Sequence, residues 1–194
     1  MNLFRKLYDW TLEKSKDPKA PWFLAIISFS ESSFFPIPPD IILIPMVLAN
    51  RVKACAYAFI CTVSSVLGGI LGYFIGYFFY NSIGIIIVQH YSLENLFSSF
   101  ESNYNEYGIL IVLGAGFTPF PFKFITIASG FFSLNLPLFI AVAFFARGLR
   151  FFLVAALLKL FGNFIKNLID RYFNIFVTLF FLLLIGSSIL IKYL

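Results

Sequence analysis

Residues 22–49 carry enough apolar side chains to cross a bilayer once, but ESSFFPIPPD, residues 31–40, cuts the run in the middle. That insert brings the carboxylates Glu31 and Asp40 and the prolines Pro36, Pro38 and Pro39. A continuous crossing needs about 20 predominantly apolar residues, and the flanking arms, 22–35 and 41–49, are each too short. The prolines remove three backbone donors and push Phe35 and Ile37 toward extended geometry, so no helix runs through. Within hydrocarbon, non-helical backbone survives only where protein buries it or water reaches it. The segment must therefore fold back against other helices, as a re-entrant hairpin.

The bilayer is the solvent that the rest of the chain implies. Over 194 residues, 60% are hydrophobic and 12% charged, with a mean hydropathy of +0.92. Soluble domains carry about 25% charged residues, and a fold this short could not hide so much apolar surface. The net charge of +5 fits Lys and Arg gathered on the cytoplasmic side, and nucleic acid is not an expected partner. Cys55 and Cys61 do not share a helix face and have no His or further Cys to complete a metal set, so they read as packing residues. No cofactor or metal is expected. No secretory signal is expected either, because residues 1–20 are polar and charged.

Residues 1–19 place Leu3, Phe4, Leu7 and Trp10 at helical spacing, predicting an amphipathic surface helix that Pro18 and Pro21 end. Residues 54–80, 137–162 and 175–191 are long enough to cross. Between the first two lies a polar linker, 81–107, without Lys or Arg, in which 94–107 reads as a surface helix ending at Gly108.

The interruption recurs. FFPIPPD (34–40) and FTPFPFK (117–123) both read Phe-x-Pro-x-Pro-x-charge, the charge being Asp40 in one and Lys123 in the other. Each lies between short apolar arms and precedes a full crossing, the sequence pointer to a transporter-type repeat. The halves span 20–80 and 108–162. The positive-inside rule puts the N-terminal basic cluster, Arg51 and Lys53 in the cytoplasm, and the Lys- and Arg-free 81–107 stretch outside. The first Pro-broken hairpin then enters from the cytoplasm and the second, around Pro119 and Pro121, from outside. The predicted fold is an all-α polytopic membrane protein. It has an inverted repeat, two re-entrant hairpins, about three full transmembrane helices and a cytoplasmic N-terminus. Residues 20–194 form its single membrane domain.

Five ionisable side chains fall at membrane depth: Glu31, Asp40, Lys123, Arg147 and Arg150. At about 2.5–3.5 kcal/mol each on the insertion scale, five left unpaired would cost roughly 12–18 kcal/mol, more than most folds have to spare. They are expected to face one polar cavity and partly neutralise one another. Asp40 also suits a helix N-terminus, Lys123 could instead snorkel, and Arg147 and Arg150, at i and i+3, share a helix face and could mark a helix end. The bases suit an anion, most simply a phosphate. Carboxylates removed from water bind protons more readily, so protons, or another cation, are the expected coupling partner. Gly68, Gly72 and Gly76 lie four apart on one helix face, where small residues admit a neighbouring backbone.

Four blocks in order, ESSFFPIPPDIILIP, SVLGGILGYFIGYFFYNSIG, YGILIVLGAGFTPFPFKFITIASGFF and FFARGLRFFLVAALLKLFG, resemble the DedA family, also called the SNARE-associated or VTT-domain family. The likeness covers roughly residues 25–162 and is closest to a small bacterial branch with paired Pro motifs. It implies a bacterial inner-membrane protein that moves a polyprenyl phosphate or a phospholipid head group, with proton dependence. The family's essential acids fall on Glu31 and Asp40. Its basic start of the second motif is Gly116-Phe117-Thr118-Pro119 here, Lys123 stands one place from the second basic position, and Arg147 or Arg150 replaces the missing charge.

The leading expectation is a lipid-phosphate flippase or transporter, acting on membrane lipids and open to homo-oligomer formation. A membrane-homeostasis scaffold without transport activity is the alternative. An enzyme is not expected: His90, the sole histidine, lies in a wet stretch without a nucleophile, metal-ligand cluster or phosphate loop beside it.

Overall fold

The computed structural model describes residues 19–35, 38–90, 94–118 and 120–162. The surface helix predicted over 1–19, the last crossing at 175–191, Pro36 and Pro119 lie outside the described residues. Among the described residues the chain is helical, without strands. Two helical stretches, Arg51–Ser82 and Leu136–Gly162, are long and apolar enough to cross a membrane.

The first interrupted segment forms two half-length helices, α1 (Ala20–Ser33) and α2 (Asp40–Ala49). At 1.5 Å per residue they reach about 21 and 15 Å, roughly half to two-thirds of the hydrocarbon core. Pro21 sits in the first turn of α1 and starts this helix, rather than serving only to end a preceding one. It is tolerated there because first-turn N–H groups have no intrahelical acceptor. Pro39 is the N-cap of α2, and its carbonyl accepts from Ile42 and Leu43. Asn50 then caps a single 3-10 turn, Arg51–Lys53, which leads into α3 (Ala54–Phe79).

A π turn, Tyr80–Gly84, joins α3 to the short α4 (Ile85–His90). Helix α5 is continuous over Glu94–Phe117, so the expected end at Gly108 is not observed. Gly108 is buried against Leu134 and Tyr104, and a Cβ there would stand 3.1 Å from either side chain. The glycine serves close packing within a helix rather than a stop. Helix α6 (Phe122–Phe131) begins at Pro121 and ends in a Schellman turn. Ser133 takes the left-handed conformation (φ 53°), Leu134 N–H bonds Ser129 O at 2.9 Å, and Ser133 N–H bonds Gly130 O at 3.1 Å. Asn135 then caps α7 (Leu136–Gly162), its Oδ1 accepting from Leu138 N–H at 3.1 Å.

Helices α3 and α7 run antiparallel: Gly162 meets Arg51, Gly148 meets Thr62, and Phe139 meets Tyr73. Each end of this pair holds one apolar cluster. Leu24 of α1 and Leu43, Met46 and Val47 of α2 pack with Ala58 and Cys61 of α3 and with Phe151, Ala155 and Leu158 of α7. At the opposite end, Val112 and Ala115 of α5 and Phe122 of α6 pack with Val66 and Tyr73 of α3 and with Phe139 and Ala143 of α7.

The glycine face of α3 carries both half-helices, which run parallel to it. A Cβ on Gly68 would collide with Phe29 O of α1, and one on Gly76 with Ile127 O of α6. Gly72 lies between, facing Ser32 O of α1 and Thr126 of α6. The C-terminal turn of α1 and the first turns of α6 therefore follow one another along α3, and Thr126 Oγ1 donates to Ser32 O at 3.0 Å.

Candidate functional site

Where α1 gives way to α6 along α3, the middle of α7 supplies two arginines. Arg147 is fully buried, with 0% side-chain exposure, and ion-pairs with Glu31 in the last turn of α1. Arg150, 15% exposed, ion-pairs with Asp40, 21% exposed, in the first turn of α2. Each acid of the first interrupted segment is thus matched by one arginine of the second half, in a spacing of one helical turn on α7.

Serines support the inner pair, in which Arg147 Nη1 is buried without a hydrogen-bond partner among the described residues. Arg147 Nε donates to Ser65 Oγ at 2.6 Å, and Arg147 Nη2 donates to Ser32 Oγ at 3.2 Å. Ser32 Oγ donates to Glu31 Oε2 at 3.1 Å and stands 2.6 Å from Ser65 Oγ. Only one proton arrangement satisfies all of these contacts. Ser65, receiving from Arg147, gives its proton to Ser32, and Ser32 gives its own to Glu31. The charge of Arg147 is thus delivered to Glu31 directly and through two hydroxyls. Phe122 and Phe151 place their rings 4.8 and 5.0 Å from the Arg147 guanidinium carbon, within cation–π range. Below this network, Ser28 Oγ donates to Cys61 O at 2.8 Å and Ser33 Oγ to Gly68 O at 2.8 Å, fastening α1 to α3.

The outer pair has fewer supports. Arg150 Nη1 donates to Thr118 O, just beyond the end of α5, at 3.1 Å. Asp40 uses Oδ2 for the ion pair, while its Oδ1 is buried without a hydrogen-bond partner among the described residues. Arg150 therefore links the start of α2 to the end of α5, the two helices that take no part in the α1–α6 alignment on α3.

Lys123 stands apart from both pairs. It lies in the first turn of α6, partly exposed, with its Nζ 5.4 Å from the Phe124 ring, and it takes part in neither ion pair. Of the predicted residues, Glu31, Asp40, Arg147 and Arg150 come together, and Lys123 is not joined to them by a direct bond. Pro38, Pro39 and Pro121 sit at the starts of α2 and α6. Gly68, Gly72 and Gly76 form the seat of the half-helices. Sequence reasoning missed Ser32, Ser65 and Thr126. The signal for Ser32 was present, since Ser28 and Ser32 are four apart and flank Glu31 on an otherwise apolar arm. Nothing local marks Ser65 or Thr126, which acquire their roles from neighbours 82 and 94 positions away.

These features define a class: a helical membrane protein whose interior is an ionic and hydroxyl network built where interrupted helices meet. The particular family follows from comparison. The VTT domain profile matches residues 37–160. An uncharacterized protein of Haemophilus influenzae is 39% identical over 157 residues, 81% of each chain. An uncharacterized protein of Histophilus somni is 37% identical over 157 residues, 81% of this chain and 82% of its own. The chain belongs to the VTT-domain (DedA) family of membrane proteins of transporter type. No solved structure matches it.

Proposed function

We propose that this protein moves a lipid-linked phosphate, a polyprenyl phosphate or a phospholipid head group, across the bacterial inner membrane, coupled to protons. The observation that carries the reading is the meeting of two acids and two arginines at the middle of the antiparallel α3–α7 pair. Ionisable groups inside a membrane fold are costly and cluster on substrate and ion pathways. The arginine fork matches a phosphate as well as it matches a carboxylate.

The same reading includes two re-entrant hairpins of opposite entry. Its support is the packing of α1–α2 at one end of the α3–α7 pair and of α5–α6 at the other. In this arrangement the N-terminus is cytoplasmic, the Pro-broken bends lie near the bilayer midplane, and Lys123 is the cation that first meets the substrate. The activity is transport rather than catalysis.

The test is flipping of a fluorescent lipid phosphate by purified protein in liposomes, with and without a proton gradient. Glu31→Ala and Lys123→Ala are expected to slow it strongly. Equal rates in all three proteins would remove these residues from the mechanism. A scaffold without transport activity is the alternative, and it predicts no protein-dependent flipping at all.

A further inference from the structure

The two ion pairs are built for different purposes. Arg147 has no exposed side-chain surface, two serine partners, a bonded carboxylate and two aromatic rings close by. Removing Glu31 from it would leave a buried charge that water does not reach. Arg150 is held by one carboxylate oxygen and one backbone carbonyl, and both it and Asp40 keep some exposure. Each pair leaves one buried polar atom without a hydrogen-bond partner among the described residues, Asp40 Oδ1 in the outer and Arg147 Nη1 in the inner, so what separates the pairs is the exposure of the arginine, 15% for Arg150 against 0% for Arg147. An arriving anion can therefore reach Arg150 but not Arg147.

Resting on the transport reading above, we propose that Arg150 is the exchangeable phosphate ligand, that Asp40 is the internal anion occupying it when substrate is absent, and that Arg147–Glu31 is a fixed strut. The bound phosphate takes over the hydrogen bond that Arg150 Nη2 gives Asp40, while the bond from Nη1 to Thr118 O keeps the guanidinium oriented. Asp40 is then a specificity device as well. A phosphate monoester carries more acceptor oxygens and more charge than a carboxylate, so it can displace Asp40 where a neutral head group cannot. Displacement also frees the start of α2 from α7, since in this network Arg150 is their charged link.

The experiment is calorimetric titration of the purified full chain in detergent with two probes, inorganic phosphate and a short-chain phosphatidic acid. Asp40→Asn removes the competing charge while keeping the side-chain shape, and it is expected to bind the probe about tenfold more tightly than the unaltered protein, the scale of one charge-assisted hydrogen bond. Arg150→Gln should abolish that gain when combined with Asp40→Asn. Glu31→Gln should lower the unfolding temperature and show no such gain in affinity. Tightening seen with either probe supports the proposal, and the probe that shows it identifies a head group or a free phosphate as the source. An Asp40→Asn protein that binds no more tightly, or a Glu31→Gln protein that gains as much, overturns it while leaving the transport reading standing. Failure of every form to bind either probe overturns both.

Discussion

Cutting the inner ion pair from one side and then from both measures what holds the interior together. Glu31→Gln leaves Arg147 with its bonds to Ser65 Oγ and Ser32 Oγ but without a counter-charge. Its side chain is wholly buried, so solvent does not screen the loss. Breaking a buried pair by removing one partner costs about 3–5 kcal/mol. The two surviving hydrogen bonds place the expected cost near the lower end, about 3 kcal/mol. Arg147→Met should cost a comparable amount, because Glu31 retains only the proton from Ser32 Oγ. The double variant removes both charges and substitutes an apolar chain that fits beside Phe122 and Phe151. Its penalty should be well below the sum, with a coupling of about 2 kcal/mol or more. Unfolding in detergent, followed by circular dichroism for all four proteins, gives the cycle. Additive losses would show that Glu31 and Arg147 do not act as a pair, and would refute the strut.

Three further outcomes follow from packing. Gly76→Ala should destabilise the protein markedly, since its Cβ would collide with the Ile127 carbonyl, whereas Gly114→Ala, which meets nothing within 4 Å, should be neutral or gain up to about 1 kcal/mol in helix propensity. Thermal unfolding of the two separates seat from spacer. Tyr73→Phe removes a 2.6 Å bond to Leu134 O at the turn before α7 and should cost about 1–2 kcal/mol in the same assay. Single cysteines at Phe35 and Phe120, introduced after replacing Cys55 and Cys61, should be labelled by a small thiol reagent from opposite sides of the membrane; labelling of both from one side would end the inverted arrangement.

Much of this interior is legible in the amino-acid sequence, for definite reasons. Arms too short to cross, Pro motifs and intramembrane charges are local features that composition and counting expose. The arms 22–35 and 41–49 correspond to α1 and α2 within two residues. The expected mutual neutralisation of charges appears as Glu31–Arg147 and Asp40–Arg150. The sequence could not assign partners, because the pairs span 116 and 110 positions and depend on how α7 is rotated. It misjudged Gly108, since a glycine that ends a helix and one that admits Leu134 look alike in isolation. Lys123, the apparent counterpart of Asp40 in the repeated motif, is the one member left outside the paired set.

That asymmetry carries the physical point. If the halves were strictly equivalent, each motif would bring its charge to a partner in the opposite crossing. Asp40 does so, reaching Arg150 on α7. The equivalent partner for Lys123 would be an acid on α3, but Ala54–Phe79 contains none. The charges of Glu31, Asp40, Arg147 and Arg150 cancel as two acids and two bases, so Lys123 leaves this group of five with one positive charge in excess. The four paired charges balance without Lys123, so their pairing gives no structural reason for an additional cation at the start of a half-helix. On the transport reading proposed above, a visiting anion supplies that partner, and Lys123 and Arg150 serve the same phosphate.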